Sequence, residues 1–443
     1  MTKPHVVFLA IGFPPASKSS TYRHRASANA LIEAGFDVTI LNASRAAWEQ
    51  ETGIDESLLD GVHPDIKIVE LPLFREDLET DIRTYSQERV LDFNAWRDDL
   101  FNRDLDFFPE RVFGHWLPTL CQAIDDIQKM HPIDFVLASP GPYVVLGAAQ
   151  HAFDAYSIPY ALDYRDGWSV DVLTGEQAFT DSSVEGVLEN RVLENSLSTT
   201  FVNDAIRDAY AQRYPQYAEK MHVFRNGYVA MDLDGYTPHP LRRNTNDPIR
   251  FGYVGTLNIV NDDVEKILEA WVAAREQNSN IAKATFTIAG HLAAGSSRGT
   301  GSKQQLIEKY RNQGVTYSGP VKRSELAGTY SQFDIALFTA VGAKFVTSGK
   351  VYELMATGLP IVSAHDPELE AVNVLRDYPL WAPAHAFDTT SITQAMLRAV
   401  DLLDSISVET ISQSQTYAQQ FERTASSQNF ARTLRQLLQE RSL

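Results

Sequence analysis

Short apolar runs of strand length alternate with amphipathic helical patterns along almost the whole chain. The runs that we interpret as strands lie at residues 6–11, 38–41, 66–71, 135–138, 160–162, 201–202, 250–254, 285–289, 315–318, 334–338 and 360–363. Runs without polar alternation are typical of parallel strands that are covered on both faces. Because helical patterns separate them, the sequence predicts an α/β fold built from doubly wound sheets.

A polar connector at residues 237–248 divides this pattern into two halves. We therefore predict an N-terminal domain over 1–236, a C-terminal domain over 245–405 and a helical tail over 406–443 that packs back. The two domains are expected to face each other across a cleft, with ligands beyond the carboxyl ends of the strands. A charged, aromatic segment at about 71–120 is interpreted as a helical insertion. It either packs on the first sheet or forms a lid that contacts an acceptor or a membrane.

Charge and cysteine content narrow the class of protein. The 443 residues carry a formal net charge of −18, which disfavours binding to nucleic acid or anionic lipid unless a local basic patch overrides it. The single cysteine, Cys121, cannot form an internal disulfide, so a cytoplasmic location is expected. No apolar stretch of the sequence is long enough to span a bilayer. Peripheral contact with the inner face of a membrane is left open, and so is the oligomeric state.

The strongest motif is a helix start within the segment TSGKVYELMATGLPIV at residues 347–362. Thr347 or Ser348 can cap the helix, and Gly349 lets a ligand approach the backbone. Free amides at a helix start favour a phosphate group. Lys350 adds a positive charge, and Glu353 lies one turn later on the same face, where it can accept hydrogen bonds from a ribose diol. The alternative is an ordinary surface helix with a Lys–Glu pair.

This segment resembles the donor-binding helix of GT-B glycosyltransferases, in particular the retaining enzymes often called family 4. Other segments resemble the same family, and their order extends over roughly residues 5–380. They are Gly12-Phe13-Pro14-Pro15 followed by Arg23 or Arg25, the Asp-x-Arg-Asp-x-Trp element within Leu162–Trp168 that is similar to bacterial surface-polysaccharide members, Asn226-Gly227, Phe251–Leu257, Ile288–Gly290, Tyr317–Val321 and Asp334–Leu337.

The resemblance implies two Rossmann-like domains and transfer of a hexosyl group from a nucleotide-diphosphate sugar to a glycan or lipid-linked acceptor. It further implies retention of configuration, no cofactor and no metal. The residues expected to act in catalysis are Lys350, Glu353, Arg165 and Asp166. Those expected to bind the donor are Gly12, Gly255, Thr256, His291, Val321, Ser348, Gly349, Lys350 and Glu353. Those expected on the acceptor side are Arg23, His24 and Arg25.

One position departs from the family pattern. Many members carry a second glutamate eight positions before the donor-helix glutamate, but that position here is Phe345. The donor sugar must then be held by Lys344 or by backbone amides of the loop at 341–346, or in another way. Two alternatives to a transferase remain open: a nucleotide-sugar epimerase of the same shape, and a non-catalytic protein that binds a sugar nucleotide.

Overall fold

The computed structural model describes residues 3–241, 243–244, 247–292, 300–342 and 344–441. The chain divides into two compact units, each with its own parallel sheet. The first unit comprises Met1–Arg225 and Thr424–Leu443, and the second comprises Asn226–Arg423.

The first unit contains a seven-stranded parallel sheet. Its strands are β1 (His5–Leu9), β2 (Asp37–Ala43), β3 (Lys67–Leu71), β4 (Phe135–Ala138), β5 (Tyr160–Tyr164), β6 (Thr199–Phe201) and β7 (Met221–Val223). Its helices before the chain enters the second unit are α1 (Ser19–Glu33), α2 (Arg45–Glu51), α3 (Gln87–Leu91), α4 (Phe93–Asp104), α5 (Leu117–Met130), α6 (Val144–Tyr156), α7 (Val184–Asn195) and α8 (Asp204–Arg213).

The second unit contains a six-stranded parallel sheet. Its strands are β8 (Arg250–Val254), β9 (Thr285–Ala289), β10 (Val315–Gly319), β11 (Ile335–Ala340), β12 (Ile361–His365) and β13 (Trp381–Pro383). Its helices are α9 (Asn261–Gln277), α10 (Thr300–Lys309), α11 (Leu326–Tyr330), α12 (Gly349–Thr357), α13 (Thr389–Asp404) and α14 (Val408–Gln419). The last helix of the chain, α15 (Arg423–Arg441), belongs almost entirely to the first unit.

The strand order reverses once in each sheet. The first sheet has the order β3-β2-β1-β4-β5-β6-β7, so the reversal lies between β1 and β4. The second has the order β10-β9-β8-β11-β12-β13, with the reversal between β8 and β11. In open α/β sheets, ligands bind beyond the carboxyl ends of the strands at this switch point. The prediction of two doubly wound α/β sheets is confirmed, and the topology directs attention to the loops after these four strands.

Successive strand residues alternate between the two faces of the second sheet, and each face has its own apolar core. In β11, Ile335 and Leu337 join the core that includes α9 and α13, whereas Ala336 and Phe338 join the core that includes α11 and α12. Burial on both faces explains why the strands read as continuous apolar runs in the sequence.

The limits of the units differ from the predicted domain bounds of 1–236 and 245–405. The boundary falls at residue 225, so the polar connector lies within the second unit. The tail, predicted as one segment from residue 406, is divided. Helix α14 packs on α12 of the second unit, whereas Phe430 stacks on Phe224 in the core of the first unit, with ring centroids 4.5 Å apart.

The segment at 71–120 is helical, as predicted, and part of it joins the first unit's interior. Trp116 is buried, and its indole nitrogen donates a hydrogen bond of 2.8 Å to the carbonyl of Pro72, next to β3. Phe74 and Phe107, in contrast, are more than half exposed, at 62% and 52%. The segment therefore contributes both to the core and to the surface.

Candidate active site

The motif predicted to bind phosphate lies where the second sheet reverses its strand order. Helix α12 follows β11 and begins at Gly349, and the Ser348 hydroxyl oxygen accepts a hydrogen bond of 3.2 Å from the backbone amide of Lys350. The helix ends at Thr357 and is capped by Gly358, which has a positive φ of 70°. The capping residue satisfies one of the amides of the first turn, and the remaining free amides point beyond the helix, towards the region where an anion is favoured.

Glu353, one turn into α12, is buried and receives three polar side chains. Its Oε1 accepts hydrogen bonds from Lys350 Nζ and from the Tyr330 hydroxyl, each at 2.5 Å. Its Oε2 accepts a hydrogen bond of 3.1 Å from Arg323 Nη1. The residue is 5% exposed, so the Lys–Glu pair is not the solvated surface pair of the alternative interpretation.

The electrostatics of this cluster keep Glu353 ionised. Burial raises the pKa of the Glu353 carboxyl, but Lys350 and Arg323 oppose it and hold the pKa below its ordinary value. Burial, with the neighbouring carboxylate, raises the pKa of Tyr330 well above its usual range, so its hydroxyl stays protonated and donates. Two cations thus share one buried carboxylate beside a helix N-terminus, which is an arrangement that can hold a dianionic or trianionic ligand.

Three side chains of this region were absent from the sequence-based site. Arg323 follows β10 and also pairs with Asp232, while Tyr330 ends α11. Arg423 donates a hydrogen bond to the Gly227 carbonyl, and its guanidinium would lie 3.8 Å from a Cβ added at Gly349. A basic residue shortly after the predicted strand at 315–318 was the available signal for Arg323. Nothing in the local sequence around Tyr330 or Arg423 indicates that they approach α12.

The remaining donor-side residues of the second unit lie on loops after β8, β9 and β10. Gly255 has a φ of 145°, and a Cβ added there would meet Lys350 Cε at 3.4 Å. Thr256 and His291 are exposed, and Val321 is partly buried against the core that includes α12. The structure therefore brings Gly255 beside Lys350 and leaves the other three available at loop surfaces.

A buried lysine, which the sequence did not single out, fixes two of these loops. Lys303 Nζ donates hydrogen bonds to the carbonyls of Leu257, Ile259 and Leu292 at 2.8, 2.6 and 2.7 Å. Burial lowers the pKa of this ammonium group, but three carbonyl acceptors satisfy its three protons. Lys303 is therefore a positioning residue for the loops that follow β8 and β9.

The loop that lacks the expected acid is tied to the segment after β12. Lys344 Nζ pairs with Glu368 at 3.2 Å, and the carbonyl of Lys344 accepts a hydrogen bond of 2.8 Å from the amide of Glu370. Gly342 donates its amide to Asp366 at 2.7 Å. Ala343 lies outside the described residues. Phe345 is partly buried, and it supplies no polar group to a sugar.

The switch point of the first unit gathers Gly12, His24 and Arg165. Gly12, in the loop after β1, has a φ of 89° and donates its amide to the Asn42 side chain at 3.2 Å. His24 is fully buried, with Nε2 3.0 Å from the Ser139 hydroxyl oxygen. Burial, reinforced by Arg165 and Arg23, lowers the pKa of His24 well below its ordinary value, so the imidazole is neutral.

The structure places the predicted acceptor-side arginines in structural contacts. Arg23 is 1% exposed and forms a two-pronged pair with Asp163, with distances of 2.8 and 2.6 Å. It also donates to the Phe224 carbonyl at 2.8 Å and lies over the Phe224 ring. Arg25 donates to the Leu58 carbonyl at 2.9 Å. The prediction that Arg23 and the buried His24 contact an acceptor directly is not supported by this placement, because neither reaches the surface.

The described residues offer neither a metal-site arrangement nor a membrane-spanning helix. No group of three or more histidine, cysteine, aspartate or glutamate side chains there has the arrangement of a metal site. Likewise, none of the helices in the described ranges combines the length and the apolar character needed to cross a membrane.

The predicted catalytic pair Arg165 and Asp166 follows β5 directly, and both side chains are half-buried.

Comparison with known proteins agrees with this architecture. Residues 248–401 match the family model described as glycosyl transferases group 1. No curated protein sequence matches the chain.

Among solved structures, the chain is similar to sucrose-phosphate synthase from Thermosynechococcus elongatus, with a TM-score of 0.64 and 15% identity over 99% of this chain and 100% of that one. A glycosyltransferase from Rickettsia africae gives a TM-score of 0.65 and 12% identity over 99% of both chains. HepE from Anabaena, solved with UDP and glucose, gives a TM-score of 0.58 and 14% identity over 97% of this chain and 98% of that one. Residues 248–401 are therefore similar to the group 1 glycosyl transferases, and the chain as a whole has the GT-B fold.

Proposed function

We propose that the second unit binds a nucleotide-diphosphate sugar and that the enzyme transfers the sugar to a glycan or lipid-linked acceptor. The observation that carries this proposal is the cluster of Lys350 and Arg323 around the buried Glu353 at the start of α12. The cluster lies at the switch point of the second sheet, where ligands of such sheets bind. The similarity in fold to HepE, which was solved with UDP and glucose, supports a uridine nucleotide as the first ligand to test.

In this proposal, the departing diphosphate is stabilised by Ser348, Gly349 and Lys350. Negative charge develops on the leaving diphosphate in the transition state. A preorganised cation and free amides therefore stabilise the transition state more than the ground state. Glu353 Oε2 accepts one hydrogen bond, from Arg323, among the described residues. A carboxylate oxygen can accept two, so one ribose hydroxyl can be added. The base is assigned to the loops after Gly290 and Gly319.

The finer features of the reaction also belong to this proposal. We infer retention of the anomeric configuration, independence of a metal ion, and a role in making cell-surface polysaccharide or glycoconjugate in the cytoplasm. The support is the family resemblance and, for metal independence, the two cations that are available to neutralise a diphosphate. Peripheral membrane contact follows if the acceptor is lipid-linked, and the exposed apolar side chains of the segment at 71–120 offer a surface for it.

Calorimetric titration of the full chain with UDP, GDP and ADP, each with EDTA present, tests donor binding. We expect saturable binding of one nucleoside diphosphate and at least tenfold weaker binding by Lys350→Ala. Glu276→Gln is the matched control, because this exposed acid lies on α9 of the same unit, away from the cluster. Absence of binding by all three nucleotides, or unaltered binding by Lys350→Ala, would refute the assignment of the donor site.

Analysis of the products separates the transferase from its two alternatives. A transferase releases the nucleoside diphosphate and forms a glycoside or, without an acceptor, slowly releases the sugar. An epimerase instead yields an isomeric sugar, and a non-catalytic binding protein leaves the donor intact. Magnetic resonance of the released sugar also reports its configuration, so an inverted product would contradict retention.

A further inference from the structure

Arg165 is half-buried and forms no hydrogen bond with an acid among the described residues. Among the residues that the structure describes, its guanidinium forms one hydrogen bond, from Nη2 to the Gly141 carbonyl at 2.7 Å, and no ion pair. Its Nε is buried without an acceptor. The neighbouring Asp163 is already bound to Arg23. A half-buried guanidinium whose Nε is shielded from water and has no acceptor retains donors that a ligand can use.

A second cation, Lys18, lies at the same switch point. Gly12, after β1, and Gly141, after β4, lie on the loops of adjacent strands. A Cβ added at Gly141 would be 2.8 Å from Arg165 Nη2, and one added at Gly12 would be 3.3 Å from Lys18 Cδ. The two glycines therefore leave room for these side chains to cross the loops. Burial lowers the pKa of Lys18, Glu51 opposes this, and the charge of Arg165 lowers it further.

Glu51 is the internal counter-ion of Lys18. Its Oε1 lies 3.2 Å from Lys18 Nζ, and its Oε2 lies 3.4 Å from Arg75 Nη1. The nearby His24 is neutral, and Asp166 makes no hydrogen bond with Arg165 among the described residues. Arg165 thus has two acidic neighbours, Asp166 and Asp163, but no ion pair with either of them among the described residues.

We propose that Arg165 and Lys18 bind a phosphate-type group of the acceptor at the switch point of the first unit. This rests on the proposed function, because that function assigns the donor diphosphate to cations of the second unit. With Lys350, Arg323 and the α12 amides available for the donor, the first unit's cations serve a second anion. Arg165 supplies the fork of donors that matches two phosphate oxygens, and Lys18 supplies a point charge.

The test is calorimetric titration of the full chain with inorganic phosphate at fixed ionic strength, with and without UDP. We expect one saturable phosphate site whose affinity is not reduced by UDP. Arg165→Gln should weaken phosphate binding at least tenfold but change UDP binding less than threefold. Glu51→Gln should act in the opposite direction and tighten phosphate binding severalfold, because it removes the competing counter-ion. Arg191→Gln, in an exposed pair with Asp154, is the matched control and should leave phosphate affinity unchanged.

Several outcomes would overturn this inference. They are the absence of saturable phosphate binding, phosphate affinity that is unaltered in Arg165→Gln, and phosphate affinity that is unaltered or weaker in Glu51→Gln. Equal loss of UDP and phosphate binding in a folded Arg165→Gln variant would assign the anion to the donor and refute an acceptor site. The Lys350→Ala variant keeps the two proposals distinct. Loss of UDP binding with phosphate binding retained supports both, whereas loss of phosphate binding in this variant contradicts the site in the first unit.

Discussion

Replacing Glu353 by glutamine tests whether the cluster at α12 is a buried, functional arrangement. The substitution keeps the shape of the side chain and removes its charge, so Lys350 and Arg323 lose their shared carboxylate. Loss of one partner from a fully buried ion pair costs about 3–5 kcal/mol. The side chains of the two cations are 25% and 23% exposed, and water therefore compensates part of the loss. We expect the free energy of opening of α12 to fall by about 2 kcal/mol.

Hydrogen exchange followed by mass spectrometry measures this quantity locally, which matters because a two-unit chain need not unfold in one step. A loss of about 2 kcal/mol corresponds to roughly thirtyfold faster exchange of the α12 amides. The pKa of Glu353 is held below its ordinary value of 4.5, so its contribution is complete above that pH and is lost as the pH falls through the folded pKa. The difference between variant and wild type should therefore shrink in acid.

The same variant should bind UDP more weakly by about 1–3 kcal/mol, the range of a charged hydrogen bond, if Glu353 accepts a ribose hydroxyl. Glu276→Gln again serves as the control. Exchange of the α12 amides within threefold of wild type at neutral pH would refute the reasoning, because it would mean that the pair contributes no more than a solvated surface pair. Unchanged UDP affinity in a variant with faster exchange would leave the cluster structural and remove Glu353 from donor binding.

Three further predictions concern catalysis, the first unit's core and pH. Lys350→Ala should lower kcat about a hundredfold, as loss of a preorganised charge does, and EDTA should leave wild-type activity unchanged in steady-state assays. Asp163→Asn should leave the buried Arg23 without its carboxylate and lower the free energy of unfolding of the first unit by about 3–5 kcal/mol. The Tm of the calorimetric transition in which the first unit unfolds should then fall by roughly 10 °C. Burial raises the pKa of Glu110 to about 7 from its ordinary 4.5, so stability in urea should fall as pH rises between these values. Glu110→Gln should remove that part of the pH dependence.

Each of these has a result that contradicts it. Wild-type kcat in a folded Lys350→Ala variant would exclude stabilisation of the leaving group by this lysine, and activity abolished by EDTA but restored by magnesium would refute metal independence. A shift in Tm below about 2 °C for Asp163→Asn would show that the pair contributes little. Identical pH profiles for Glu110→Gln and wild type would mean that this carboxyl does not titrate between 4.5 and 7.

The sequence determined the strands that are covered on both faces, because such strands must be continuously apolar. The predicted runs at 135–138, 250–254 and 285–289 coincide with β4, β8 and β9. The edge strands β7 and β13 went unpredicted, because each has three residues and, as an edge strand, pairs on one side only. The tail was predicted to be helical, but its division between α14 and α15 depends on which core each half can join.

The candidate site divides in the same way. A helix start is local, so Ser348, Gly349, Lys350 and Glu353 could be identified from their spacing alone. Only the tertiary structure brings Arg323 to the Glu353 carboxylate across 30 positions and Arg23 to Asp163 across 140. Charged side chains carry no periodicity that identifies a distant partner. Their pairing is decided by the tertiary fold, which packs Arg23 of α1 against Asp163 of β5 and brings Arg323, after β10, to Glu353 of α12.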